Sequence, residues 1–266
     1  MSFLVVNAIG NESDDSVSTA PMSNLSSDVE DSDLVFRSDQ ELPSSSAQIL
    51  DLTPVTINTK TPDMSFDDTP SDQNIAHSDQ ESPQQFLQSL RMKNADRIIF
   101  GHLNINSIRN KIEHLGDIVQ NRIDILLISE TKIDASFPKA QFHLHGYADP
   151  YRLDRTCNGG GLLLYIRDDI ASKPLPLISG GVECILSELM IAKKKWLVIG
   201  AYNPQKVHTP SFLKVLGDNL SHYLPIYDNI IVLGDFNCEI TEDMMDEFTS
   251  VFNLRGVRSL DDETCK

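Results

Sequence analysis

Val232-Leu233-Gly234-Asp235-Phe236-Asn237 decides how this chain is read. An apolar run that begins at Ile230 stops abruptly on an acid and an amide. A second run, Ile125-Leu126-Leu127-Ile128, stops the same way on Ser129-Glu130-Thr131. A third, Ile98-Ile99-Phe100-Gly101-His102-Leu103, leads into Asn104-Ile105-Asn106. Short apolar runs bounded by turn-forming residues read as buried strands. Each delivers an oxygen-bearing side chain to the rim of a sheet. Asn, Glu and Asp at three strand ends suit a hard cation such as Mg²⁺, which takes one or two carboxylates and keeps several waters, and so a phosphodiesterase site.

Between these strands the pattern alternates. Ile108, Ile112, Leu115, Ile118 and Val119 fall at helical spacing and predict a helix over residues 107–122. A short strand is expected over 143–148, and Gly159-Gly160-Gly161 opens another over 162–166. Residues 182–191 and 196–202 read as a hairpin with its tip at Lys193-Lys194-Lys195. Pro210 opens a helix running to about Tyr223, with Phe212, Leu213, Leu216 and Leu220 on one face. A strand over 229–234 and a helix over 242–252 follow. Hairpins mixed with helical crossovers predict an α/β fold with mixed sheets. No internal repeat is visible.

The first 95 residues have another character. They are dense in Ser, Asp, Gln and Pro and carry a net charge of −12, whereas residues 96–266 carry −5. Low hydrophobicity with high net charge buries too little apolar surface to offset ordering entropy, so residues 1–95 are expected to be disordered. Residues 96–266 form the domain. The start of the chain lacks the charge and length of a signal peptide, and no apolar run approaches the roughly 20 residues of a membrane span. Cys157, Cys184, Cys238 and Cys265 make no C-x-x-C pair and no zinc spacing. An intracellular setting, nuclear or cytoplasmic, is expected. The acidic balance argues against strong non-specific nucleic-acid binding. It leaves room for a metal-dependent nuclease, because the bound cation brings its own positive charge.

The ordered motifs L-N-I-N-S at 103–107, I-S-E-T at 128–131, R-L-D-R with the triple glycine, A-Y-N-P at 201–204 and G-D-F-N at 234–237 resemble the endonuclease/exonuclease/phosphatase superfamily. The resemblance covers residues 97 to the C-terminus. It is nearest to the endonuclease domains of LINE-type non-LTR retrotransposons. It implies a four-layered α/β sandwich of two mixed sheets with outer helices, incomplete at the C-terminus. It also implies Mg²⁺ or Mn²⁺ as cofactor and DNA as partner, with no membrane.

By the same resemblance Glu130 is the metal ligand, and Asn104 orients the carboxylate, the metal and the phosphate. Asp235 orients or activates the attacking water. Asn237 donates to a phosphate oxygen, and Tyr202 faces the phosphate. Read without the resemblance, Glu130 is as readily a solvated strand-end acid, Asn104 and Asp235 are turn formers, and Tyr202 is a half-buried strand residue. Asn106 reads as a helix cap. Abasic-site relatives often place Asn three residues after the Tyr; Gln205 stands there. Arg155 either touches a phosphate or joins an Arg–Asp surface network with Arg152 and Asp154. The superfamily completes its site with a late Asp and a Ser-Asp-His, and neither occurs here, so impaired catalysis is expected. A non-catalytic interaction fragment and another phosphatase of the superfamily are the rival readings.

Overall fold

The structure is a computed structural model that describes residues 2–7, 53–56, 82–204, 208–236 and 242–254. All of them belong to one compact unit, residues 1–9 and 51–266. Residues 10–50 and most of the segment expected to be disordered lie outside the described residues.

Two mixed sheets face one another. The first has the order β2-β1-β3-β4-β6-β5, formed by β1 (Ser2–Asn7), β2 (Thr53–Thr56), β3 (Arg97–Asn104), β4 (Ile125–Ser129), β5 (Tyr151–Leu153) and β6 (Leu162–Ile166). The second has the order β10-β9-β8-β7, formed by β7 (Ser172–Leu175), β8 (Glu183–Ile191), β9 (Lys194–Tyr202) and β10 (Asn229–Asp235). Each sheet holds one parallel pair. β3 and β4 are joined through α2 (Ile112–Val119), and β9 and β10 through α3 (Thr209–Tyr223). Parallel neighbours need such a crossover, and both crossovers cover the outer face of their sheet.

The helices complete the layers. Leu87 and Leu90 of α1 (Pro83–Lys93) and Leu115 and Val119 of α2 pack with Ile99, Leu126, Ile128, Leu163 and Tyr165 on the first sheet. Phe212, Leu216 and Leu220 of α3 pack with Leu197, Ile199 and Ala201 on the second, joined by Phe248 of α4 (Glu242–Val251) and by Phe252. Successive strand residues point to opposite faces, so the alternate residues meet between the sheets. There Gly200 lets the layers close up, since a Cβ added to it would lie 2.5 Å from Leu127 Cδ1. Cys184 is buried, and burial pushes its thiol up to about 12.

Several expectations need correction. The domain starts before residue 96, because α1 is capped and buried. Ser82 and Gln85 exchange side-chain to backbone bonds at 3.2 and 2.9 Å, with Pro83 in the first turn. Two strands also fall inside residues 1–95, β1 pairing antiparallel with both β2 and β3. Composition averages over a segment and misses short elements that borrow their stability from a sheet already formed. The helix expected over 107–122 is confined to 112–119, because the backbone N–H groups of Ser107 and Ile108 bond instead to Glu130 O and Thr131 O, at 2.8 and 3.1 Å. Instead of a strand at 143–148 there is a 3₁₀ turn at Lys139–Phe142 and a single bridge from Tyr147 to Arg167.

Far from the strand ends that carry the acids, Asp124 is buried at 1% exposure between two guanidinium groups. Arg91 of α1 reaches it at 2.5 Å, Arg167 bonds its other oxygen, and Ile99 N donates at 2.7 Å. Arg91 also donates to Arg97 O and Arg122 O, so one side chain fastens α1 to the chain entering both β3 and β4.

Candidate active site

Asn104, Glu130, Tyr202 and Asp235 come from four strands and meet at one rim of the sandwich. β3 ends on Asn104 and β10 on Asp235; Glu130 directly follows β4, and Tyr202 closes β9. Both parallel pairs therefore point their carboxyl ends at the same place, where open α/β sheets bind ligands. Asn104 Nδ2 donates to Glu130 Oε1 at 3.0 Å and to Asp235 Oδ2 at 2.9 Å. The Tyr202 hydroxyl donates to the same Glu130 oxygen at 3.0 Å. Glu130 and Asn104 sit on the first sheet, Tyr202 and Asp235 on the second, so the cluster spans the seam.

Glu130 is held in a backbone conformation that L residues avoid, with φ of 54°, and Lys132 repeats it at 53°. Each such residue costs about 1–3 kcal/mol and persists only where its surroundings over-determine it. Here they do. On one side Ile105, Ser107 and Ile108 donate to Ser129, Glu130 and Thr131 in turn. On the other, Thr131 N and Lys132 N donate to Gly161 O and Gly160 O at 3.3 and 3.0 Å. The triple glycine is thus a seat for the Glu130 loop. Gly161 has φ of +92°, and a Cβ on it would lie 2.3 Å from Thr131 Oγ1.

One Glu130 oxygen is saturated and the other is open. Oε1 takes Asn104 and Tyr202; Oε2 has Lys132 Nζ at 3.9 Å. Lys132 also bonds Asn106 Oδ1, so Asn106 is no helix cap: α2 starts after Lys111 with no side-chain cap. Burial, and then the bond to Glu130, push the Tyr202 hydroxyl above its ordinary range, so it remains a donor at neutral pH. His102, below Asn104 on β3, bonds Ser129 Oγ at 3.0 Å, and burial lowers it to about 4. It is neutral at pH 7.

Arg155 does not join Arg152 and Asp154. Arg152 forks onto Asp154 at 2.5 and 2.8 Å, whereas Arg155 turns away and donates to Glu183 Oε1 at 3.0 Å. Glu183 and Lys132 were not singled out in the sequence. Glu183 is legible only through the hairpin register, which sets it opposite Tyr202. Asn237 and Gln205 lie outside the described residues.

The donor set fits a hydrated hard cation. It offers one open carboxylate oxygen, an amide and a nearby Asp, and among the described residues no group of three or more His, Cys, Asp or Glu gathers that would select zinc.

The model of the Endonuclease/Exonuclease/phosphatase family matches residues 101–258. No curated protein sequence matches the chain. Among solved structures, the 3'-5' exonuclease NExo from Neisseria meningitidis is similar at 18% identity and TM-score 0.39, over 52% of this chain and 56% of that one. An AP endonuclease from Archaeoglobus fulgidus is similar at 21% identity and TM-score 0.38, over 57% and 67%. The endonuclease domain of TRAS1, a telomere-specific non-LTR retrotransposon, is similar at 11% identity and TM-score 0.43, over 57% and 68%. The chain therefore spans little more than half the length of the first of these.

Proposed function

This chain belongs to the endonuclease/exonuclease/phosphatase family, and on that premise we propose that the four-residue cluster is the hydrolytic centre of a divalent-metal phosphodiesterase acting on DNA. The observation that carries the reading is the convergence of Asn104, Glu130, Tyr202 and Asp235 within hydrogen-bond distance at the carboxyl ends of both parallel strand pairs. The order of the motifs supports an origin in a LINE-type retrotransposon endonuclease.

Glu130 and Asn104 would hold Mg²⁺ or Mn²⁺, Glu130 through Oε2 and Asn104 through its amide oxygen. The cation supplies Lewis-acid charge against the phosphate oxygens. Tyr202 and Asn104 fix the carboxylate from the other side, so the ligand is oriented before substrate arrives. Asp235, steadied by Asn104, aligns a water for attack on phosphorus and accepts its proton, while the P–O bond to the leaving sugar oxygen breaks and that oxygen takes a proton from solvent. Asn237 follows two residues later and donates to the phosphate.

Among the described residues the hydrogen bonds of the Glu130 carboxylate run to Asn104 and Tyr202 and none to a histidine. A general acid–base group contributes about 10²–10⁴-fold. A group of that kind brought to the cluster would raise turnover by about that factor.

Plasmid relaxation with Mg²⁺ tests the assignment. Nicking should vanish with a chelator and fall at least tenfold in Glu130→Gln, which keeps the shape and removes the charge. Nicking that survives either treatment would locate the chemistry elsewhere.

A further inference from the structure

We propose that Arg155 clamps a second DNA phosphate, next to the one that reacts, making the site a reader of polynucleotide strands instead of isolated phosphate esters. The inference rests on the phosphodiesterase reading above.

It starts from a row across the second sheet. Asp235 pairs in register with Tyr202, and Tyr202 with Glu183. Residues in register on neighbouring strands share a face, and strands lie about 4.8 Å apart. The three side chains therefore form a line at one level. Each is stitched to the first sheet: Asp235 to Asn104, Tyr202 to Glu130, and Glu183 to Gly161 N at 2.5 Å and to Arg155. The cleft thus has a direction. The hydrolytic cluster occupies one end and the centre, and Arg155 stands at the other end, about one strand spacing beyond Tyr202. Successive phosphates of a DNA strand rise about 3.4 Å along the helix axis and lie farther apart than that through space, so the neighbour of a phosphate at Glu130 falls beyond the next strand, within reach of a long arginine side chain there.

Arg155 is built for that position. Its side chain is 43% exposed, while Glu183 beneath it is 13% exposed. Of the five N–H donors a guanidinium carries, Glu183 takes one, and a planar guanidinium matches phosphate in a two-pronged fork. Glu183 in turn is fixed by the Gly161 amide. Gly160 leaves the slot the pair occupies: its φ is +72°, and a Cβ there would meet Arg155 Cδ at 2.4 Å and Glu183 Oε1 at 2.6 Å. A surface ion pair formed by chance needs no glycine cut away for it. The chain carries a net charge of −17, so attraction to DNA must come from local cations beside the cleft, and Arg155 and Lys132 are two such cations among the described residues.

The test compares the full chain with Arg155→Gln. Fluorescence anisotropy with a labelled DNA duplex across a salt series reads affinity and the slope of log K against log salt. Hydrolysis with Mg²⁺ is followed on the same DNA and on bis(p-nitrophenyl) phosphate, which has a single phosphate. Arg155→Gln should bind roughly tenfold more weakly. Its salt slope should shrink by about 0.9, the value for one phosphate contact. Its kcat/KM for DNA should fall relative to that for the small ester. Thermal denaturation controls for folding, and Arg155→Lys, which keeps the charge, should recover the slope. An unchanged slope, an equal loss on both substrates, or no DNA binding by the parent chain would each overturn the proposal and make Arg155 a staple between the sheets. A slope difference without hydrolysis of either substrate would retire the phosphodiesterase reading and leave the phosphate contact standing.

Discussion

Replacing Gly234 with alanine should uncouple Asp235 from the rest of the cluster. Gly234 has φ of +150°, and a Cβ on it would lie 1.8 Å from Ala201 O, 2.8 Å from Ala201 C and 3.1 Å from Ala201 N. Those atoms are backbone of the neighbouring strand and cannot swing away as a side chain would. Ordinary contact begins at 3.4 Å, so the strands must part locally by about 1.6 Å. The pairing of Gly234 with Ala201 and of Asp235 with Tyr202 is lost, along with the 2.9 Å bond from Asn203 N to Asp235 O. Two to three hydrogen bonds at about 1 kcal/mol each, plus about 1–3 kcal/mol of strain at φ of +150°, put the stability cost at about 3–6 kcal/mol. A catalytic group displaced by about 1 Å loses on the order of 10²-fold in rate. Urea denaturation reads the first number and plasmid relaxation the second. A Gly234→Ala protein with wild-type midpoint and wild-type nicking would show that the β9–β10 register does not position Asp235.

Asp124→Asn keeps the shape of the buried acid but removes the charge shared by Arg91 and Arg167; the urea midpoint should drop by the equivalent of about 3 kcal/mol, and full stability would mean their other partners, the Arg97 and Arg122 carbonyls and Asp169, suffice. His102 is held neutral, with a folded pKa near 4 against 6.5 unfolded, so the unfolded chain binds the extra proton between these values. Stability contributed by its neutral form is present above pH 6.5 and is lost as pH falls towards 4. The gap between the parent and His102→Gln denaturation curves should therefore change across this window, and parallel pH profiles would contradict the assignment.

The architecture was legible where strands end on acids. The runs before Asn104, Glu130 and Asp235 carry both the strand signal and the family motif, and their ends meet as the motif order implies. Three things were not legible. The Glu130 loop takes its partners from residues 105–108 and 160–161, far apart in sequence, so the helix expected from Ser107 gives up its first turn. Glu183 becomes visible only once the hairpin register is known. Helix α1 was signalled by Ser82-Pro83-Gln84-Gln85, a capping box with Pro in the first turn, but the acidic composition around it dominated the reading. The two crossovers, β3-α2-β4 and β9-α3-β10, have the same architecture without any shared sequence pattern.

Gly200 has a consequence beyond packing. The cluster takes two residues from each sheet, so its dimensions are set by the thickness of the filling between the layers. Gly200 and Leu127 meet inside that filling, where a single added methyl would come 2.5 Å from the leucine. The sandwich behaves as a calliper whose jaws are Asn104 with Glu130 on one arm and Asp235 with Tyr202 on the other. Swelling of the filling, by a bulkier side chain or by heat, opens the jaws without touching any residue that meets substrate. Activity then becomes a gauge of interior spacing, fading while both sheets are still folded.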